Sequence, residues 1–231
     1  MNNKISTLKS GSIYFFYRPK VRNEEEVQRF FFVLSKEENK YTSLIVGKKQ
    51  LPETNHDSYF LFVEETNESK QGFLNSLQKK YHQAGKGWTT DPEVHCLAEG
   101  SFIFAKHNNH IHFVYQITNP PHLTKIQQEF HLKQEDDYLI FVKNPGFGTM
   151  LNEKVNYPNN LQEKFNNYKF IPLDPEFLNY KGTELLLISK KRNLMESEQN
   201  LQKCLKEIKQ EDLSNEFAKI ISPESVFLLK G

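Results

Sequence analysis

Short runs of aromatic and β-branched residues fill the first third of the chain and predict β-strands. Each run is apolar at consecutive positions, which is typical of a strand that is buried on both faces. Pro19 ends the first run, because proline cannot donate to a sheet ladder, and Gly47 ends the third. The predicted strands span residues 12–18, 27–34, 40–46 and 58–64.

The pattern then changes to helical spacing. Phe73, Leu74, Leu77 and Tyr81 recur at intervals of three or four residues, and Gly85 follows as a stop signal, so a helix is predicted over 68–83. The segment 86–94, which carries the only tryptophan, reads as a loop. We expect this loop to be the boundary between two lobes.

The second half of the chain predicts a further set of strands followed by helices. The Gly-Ser start of the run at 100–104 echoes residues 11–15, and chance similarity explains this echo better than duplication. Strands are predicted at 100–104, 110–117, 138–143 and 183–189, and short helical segments at 158–166 and 174–180. An apolar stripe of Leu194, Leu201, Leu205 and Ile208 predicts a C-terminal helix, with a second helix at 213–221.

These patterns together predict an α+β fold. We expect a mostly antiparallel β-sheet in two lobes with flanking helices and a C-terminal helical segment. The N-terminal lobe would span residues 1–85 as a β-meander plus helix, and the C-terminal lobe residues 95–231. The two lobes are expected to form one compact unit.

The composition excludes several classes of protein. The 231 residues are 37% hydrophobic, and 19 Phe and 10 Tyr offset that low fraction, so we expect an aromatic core. A net charge of +1 argues against a protein that coats nucleic acid nonspecifically. The two cysteines do not form a zinc-binding motif. The first residues carry no secretory signal and no window is apolar enough to span a bilayer, so we expect a cytoplasmic protein without a membrane partner.

Three of the four arginines lie close together: Arg18, Arg22 and Arg29. An antiparallel meander of the first three strands would bring Arg18 and Arg29 to one edge of the sheet. Lys48 and Lys49 would reach the same edge from the end of the third strand. One interpretation is that the nearby glutamates 24–26 pair with these cations across a solvated loop.

The other interpretation is a binding site for a phosphate-bearing ligand or RNA. Arg18, Arg22 and Arg29 would grip the anion with their planar guanidinium groups, and Lys48 and Lys49 would add charge. Nearby aromatic rings would stack on bases, and Tyr17 and Tyr14 are the tyrosines expected to be exposed. We rank this binding module first among the functions.

Two histidines suggest an alternative, a metal-dependent hydrolase. His110 and His112 lie on one face of a predicted strand, because side chains alternate there, and His107 is in the adjoining turn. No H-E-x-x-H motif accompanies them, and an ordinary hairpin with solvated histidines explains the pair better. A third hypothesis is a protein-interaction factor that docks a partner through its C-terminal helices. Whether the protein is an enzyme, its cofactors and its oligomeric state are left open by the sequence.

Four strings of residues resemble a family of uncharacterised bacterial proteins of similar size. They are residues 11–21, 27–30, 45–52 and 180–188, so the resemblance covers roughly residues 11–189. It implies no activity, ligand or catalytic residue, and the function must be argued from the residues themselves.

Overall fold

The computed structural model describes residues 5–20, 23–35, 40–54, 57–78, 80–84, 87–107, 109–151 and 154–189. The strands are β1 (Ile5–Lys20), β2 (Asn23–Ser35), β3 (Tyr41–Val46), β4 (Ser58–Asn67), β5 (Lys80–Ala84), β6 (Gly87–Asp91), β7 (His95–His107), β8 (His110–Asn119), β9 (Glu135–Lys143), β10 (Phe170–Pro172) and β11 (Glu184–Ser189). The α-helices are α1 (Lys70–Leu77), α2 (Lys125–Glu129) and α3 (Asn159–Glu163), and 3-10 turns cover Pro145–Phe147 and Pro175–Asn179.

Eight antiparallel strands close into a barrel. Their order is β9-β11-β4-β3-β2-β1-β7-β8, and β8 pairs with β9 to complete the circle. β10 pairs with β9 alone, and β5 and β6 form a separate hairpin. Because the barrel is closed, each of the eight strands pairs with a neighbour on both sides.

The prediction of an α+β fold in two lobes is wrong, because strands from both expected lobes belong to this one barrel. β1 pairs with β2 on one side and with β7 on the other. β4 pairs with β11, which follows it by more than a hundred residues. These pairings join distant parts of the chain, and local hydrophobic patterns carry no information about them.

The predicted antiparallel meander of the first three strands is confirmed for β1 to β3, and β4 continues it. The helix predicted over 68–83 is wrong in its second half, because α1 ends at Leu77 and Gln78 has an extended backbone. Tyr81 continues the helical spacing in sequence but lies in the β5–β6 hairpin. That hairpin also replaces part of the loop expected at 86–94.

Aromatic side chains fill the interior of the barrel. Alternate residues of each strand point inward, and those of β1 and β2 include Phe15, Phe30 and Phe32. The rings of Phe32 and Phe113 stack across the interior with their centroids 5.4 Å apart. An eight-stranded barrel is just wide enough for side chains to fill, so the interior is a packed core.

Helix α1 lies on the outside of the barrel and explains why the first strands are apolar on both faces. Tyr14 and Phe16 of β1 and Phe31 of β2 point outward and form a second core cluster with Phe73 of α1. The helix begins after Ser69, whose Oγ accepts a hydrogen bond from the backbone N–H of Gly72 at 3.0 Å. This outer layer is where the candidate site lies.

The C-terminal helices predicted at 194–208 and 213–221 lie outside the described residues. Among the residues that the structure describes, no helix is long and apolar enough to cross a membrane.

Candidate functional site

Arg18 and Arg29 lie directly opposite each other on β1 and β2. Both share the outward face, because Tyr14 and Phe16 alternate with Arg18 along β1, and Phe31 alternates with Arg29 along β2. The hairpin predicted from the sequence therefore brings the two arginines together as expected. Like charges directly opposite in a sheet are destabilising, so packing of the sheet alone does not explain this pair.

A cavity of about 340 Å³ opens beside the two arginines, between the barrel wall and the end of α1. Its apolar part comes from Phe31 and Val33 of β2 and Leu77 of α1. Ser43 and Ser76 add hydroxyl groups to the lining. The volume lies at the lower end of the range for small-molecule sites.

Charged residues of both signs line the cavity in equal number. The cations are Arg18, Arg29 and Lys181, and the carboxylates are Glu64, Glu65 and Asp91. They come from β1, β2, β4, β6 and the turn before β11. The barrel and the β5–β6 hairpin therefore both contribute charged residues to the cavity. Such convergence of distant residues in one cavity is typical of a binding site.

Arg18 is the most buried of these charges, with 8% of its surface exposed. Its Nη1 donates to the backbone carbonyl of Pro92, and within the described part of the chain this is the only hydrogen bond of its side chain. Burial lowers the pKa of Arg18, the carboxylates of Asp91 and Glu64 act in the opposite direction, and the charge of Arg29 lowers the pKa further. Arg18 lines the cavity, and the remaining N–H donors of its guanidinium have no partner among the residues that the structure describes.

Arg29 is more exposed and pairs with Glu64 of β4. Lys181 is exposed and Glu65 is half-buried, and neither side chain forms an ion pair or hydrogen bond within the described ranges. Among the three cavity cations, Arg29 is the one that forms an ion pair within the described residues, and its acid comes from β4. Outside the cavity, Glu26 of the run 24–26 contacts Lys20, as the solvated-loop interpretation proposed.

Two irregularities in strand pairing shape the site. The β3–β4 register shifts after Ser43 pairs with Glu65, which leaves Glu64 as an extra residue. A β-bulge of this kind re-aims side chains, and adjacent Glu64 and Glu65 both line the cavity as a result. The β1–β2 register shifts immediately after the Arg18–Arg29 pair.

The predicted lysines lie apart from the cavity. Lys48 and Lys49 are exposed in the turn after β3, and Lys49 Nζ donates to the carbonyl of Val27 at 2.6 Å. Neither lysine lines the cavity. Lys20 pairs with Glu26, and Arg22 lies outside the described residues.

The aromatic rings expected to stack on bases are used for packing. Tyr14 is 1% exposed, and Phe16 and Phe30 are fully buried. Tyr17 is half-buried at the barrel end, where its ring stacks on His95 with centroids 4.8 Å apart, and burial raises the pKa of its hydroxyl. None of these rings lines the cavity.

The two predicted metal ligands have different surroundings. His110 is exposed, whereas His112 is 2% exposed and its Nδ1 lies 2.8 Å from Oδ1 of Asp137. His107 approaches His112 with ring centroids 5.9 Å apart. Within the described ranges, no group of three or more His, Cys, Asp or Glu residues is arranged to hold a metal ion.

Sequence reasoning missed Glu64, Glu65, Asp91 and Lys181. Each is an ordinary surface charge in the sequence, and only the bulge and the tertiary contacts bring it to the cavity. One signal for the place of the cavity was available in the sequence. The outward face of β1 and β2 is apolar and therefore requires a covering element such as α1. A crevice is expected where that covering helix ends.

No protein-family model matches the chain, and no curated protein or solved structure matches it at a significant level. The resemblance to an uncharacterised bacterial family therefore stays a prediction. The fold and the site define the class of protein: a closed antiparallel barrel with a charge-lined cavity on its outer wall.

Proposed function

We propose that the protein is a binding module for a small ligand with an anionic group, and that the ligand occupies the cavity beside Arg18 and Arg29. The observation that carries the proposal is the state of Arg18. Arg18 is 8% exposed, lines the cavity, and its side chain has a single hydrogen bond, to a neutral carbonyl, within the described residues. Buried charges are normally paired, because removing an ion from water is costly without a counter-charge.

The charges of Asp91 and Glu64 attract Arg18, but neither carboxylate forms an ion pair with it within the described residues. An anionic group in the cavity would supply that direct contact. Phosphate and carboxylate both match the planar fork of a guanidinium, and two adjacent arginines offer more donors than Glu64 can use. The ligand would also offset the repulsion between Arg18 and Arg29. Electrostatic repulsion that is relieved when a ligand binds is a feature of functional sites.

The size of the cavity favours a small molecule over a stretch of RNA. A volume of about 340 Å³ holds one metabolite of modest size. Single-stranded RNA is held by exposed stacking rings along a basic groove, and the rings near this site are buried or half-buried. The proposal also keeps the cytoplasmic location expected from the sequence.

The test is calorimetric titration with ethyl phosphate and butyrate at low salt. We expect saturable binding of at least one probe to the unmodified protein. Arg18→Gln should weaken that binding at least about tenfold, because a hydrogen bond to a charged group contributes about 1.5–3 kcal/mol. Arg18→Lys should be intermediate, since the charge stays and the fork is lost.

The matched control is Lys48→Gln, which removes the same charge from an exposed turn outside the cavity. It should leave the affinity nearly unchanged, and thermal unfolding of each variant establishes that it is folded. Equal losses in Lys48→Gln and Arg18→Gln would point to diffuse attraction and contradict the proposal. Saturable binding of a uridine oligomer, lost equally in both variants, would favour the RNA hypothesis instead.

The other hypotheses receive no support from a described contact. His112 is held by Asp137, and no set of metal ligands surrounds it within the described residues. The interaction surface expected at the C-terminal helices lies outside the described ranges and stays a prediction.

A further inference from the structure

We propose that the occupant of this cavity is a zwitterion, with an ammonium group held by Glu65 as well as an anionic group held by Arg18. This inference rests on the proposed function and specifies its ligand class. It starts from the balance of charge in the cavity wall, where three cations face three carboxylates. Glu64 and Asp91 act on the two arginines, so the acid that an anion site would not need is Glu65.

Glu65 is the acid whose position calls for a partner. Glu64 pairs with Arg29, and the charge of Asp91 acts on Arg18. Glu65 lines the cavity from the barrel wall without an ion pair or hydrogen bond among the described residues. A carboxylate in that position accepts a hydrogen bond from an ammonium group of the ligand.

The β-bulge in β4 supports a binding role for this carboxylate. In a regular strand, Glu64 and Glu65 would point to opposite faces, and only one would reach the cavity. The shift in the β3–β4 register lets both line it. Bulges that re-aim side chains occur preferentially beside functional sites.

Electrostatics disfavour a ligand with negative charge alone. Its anionic group would be attracted by Arg18 but would bring net negative charge close to Glu64 and Glu65, and like charges in contact oppose binding. An ammonium group beside Glu65 reduces that penalty, because it offsets one negative charge of the ligand's anionic group. Glu64 and Glu65 thus select against ligands that carry only negative charge.

The volume limits the size of the ligand. About 340 Å³ corresponds to roughly ten non-hydrogen atoms, at the volume that a water molecule occupies in the liquid. The class that fits is a small aminoalkyl phosphate or an amino acid. Phosphate and carboxylate are equivalent for the guanidinium fork, so the two kinds of anion are separated by experiment.

The experiment uses two pairs of probes that differ in the ammonium group. Phosphoethanolamine is compared with ethyl phosphate, and γ-aminobutyrate with butyrate, by calorimetric titration of the full chain. We expect the unmodified protein to bind the zwitterion of one pair at least about tenfold more tightly than its simple anion. Glu65→Gln should abolish that preference and bind both members of the pair with similar affinity.

The matched control is Glu163→Gln, which removes an exposed carboxylate from α3, away from the cavity, and should retain the preference. If the simple anion binds as tightly as the zwitterion, or if Glu65→Gln keeps the preference, the zwitterion proposal is wrong and the proposed function stands. If none of the four probes binds the unmodified protein, the proposed function fails as well.

Discussion

At the scale of single residues, several tyrosines are held away from water, and their ionisation is linked to folding. Burial raises the pKa of Tyr157 to about 12 from an ordinary value of 10.0, and it raises those of Tyr115 and Tyr138 as well. The Tyr157 hydroxyl donates to Thr183 Oγ1 at 3.0 Å, and Thr183 Oγ1 donates to the carbonyl of Phe177. The folded protein therefore favours the protonated form of Tyr157 more strongly than the unfolded chain does.

This linkage predicts a loss of stability in alkali. Above pH 10 the unfolded chain releases the Tyr157 proton while the folded protein keeps it, so the free energy of unfolding falls as the pH rises towards about 12. The contribution of this group is complete below pH 10 and amounts to roughly 2–3 kcal/mol over the two pH units. Urea unfolding between pH 9 and 12 should show a shallower fall for Tyr157→Phe than for the unmodified protein.

Tyr168→Phe is the control for that measurement, because Tyr168 is 64% exposed. It should leave the pH dependence of the unfolding free energy as it is in the unmodified protein. An equally steep fall in Tyr157→Phe would show that other groups account for the alkaline loss.

At the scale of elements, a buried ion pair joins β9 to β11 and fixes the loop that follows β9. Lys143 Nζ donates to Glu184 Oε2 at 2.6 Å and to the carbonyl of Gly148 at 2.7 Å. The other oxygen of Glu184 accepts the backbone N–H of Leu151 at 3.2 Å. Both side chains are less than a tenth exposed, so each depends on the other for its counter-charge.

Removing one partner of this pair should be strongly destabilising. We expect Lys143→Met to lower the free energy of unfolding by about 3–5 kcal/mol, because the carboxylate of Glu184 stays buried without a counter-charge. The double variant Lys143→Met with Glu184→Gln should recover part of that loss. Urea unfolding of the two variants provides the comparison.

The control for this prediction is an exposed pair. Lys164 Nζ lies 2.7 Å from Asp174 Oδ2, and both side chains are more than a third exposed. Lys164→Met should change the free energy of unfolding by less than about 1 kcal/mol. Similar losses at Lys143 and Lys164 would contradict the assignment of a buried, mutually dependent pair.

At the scale of the whole molecule, two glycines allow the barrel to close. Gly11 of β1 and Gly100 of β7 lie near each other in the β1–β7 pair, where Gly11 is opposite Phe102 and Gly100 is opposite Ile13. A Cβ at Gly11 would lie 2.0 Å from the carbonyl oxygen of Ser35, and one at Gly100 would lie 1.9 Å from that of Gln116. Only glycine permits this close approach of the backbones of neighbouring strands.

Gly100→Ala should therefore destabilise the whole barrel. The added methyl group would meet backbone that cannot rotate away, and we expect a loss of about 3 kcal/mol or more in the free energy of unfolding. Gly146→Ala is the control, since its nearest contact would be the Asn144 side chain at 3.0 Å, and it should be less damaging. A Gly100→Ala protein with normal stability would show that the strands can separate at this point.

Much of the local structure is predictable from the sequence. Apolar runs located the first four strands, and their order along the chain correctly predicted the meander of the first three. The start of the helix was predicted correctly, but the predicted helix was too long because it included Tyr81. Helical spacing over a few residues also occurs by coincidence in strands.

The sequence by itself determined that Arg18 and Arg29 would meet, because neighbouring antiparallel strands are joined by a short connection and their pairing depends on local residues. Only the tertiary structure decided that the sheet closes, that α1 covers its outer wall, and that Glu65 joins the arginines at one cavity. Those outcomes depend on contacts between residues far apart in the chain and on one register shift in β4. Such contacts are selected by the fit of the whole molecule, and no short stretch of residues encodes them.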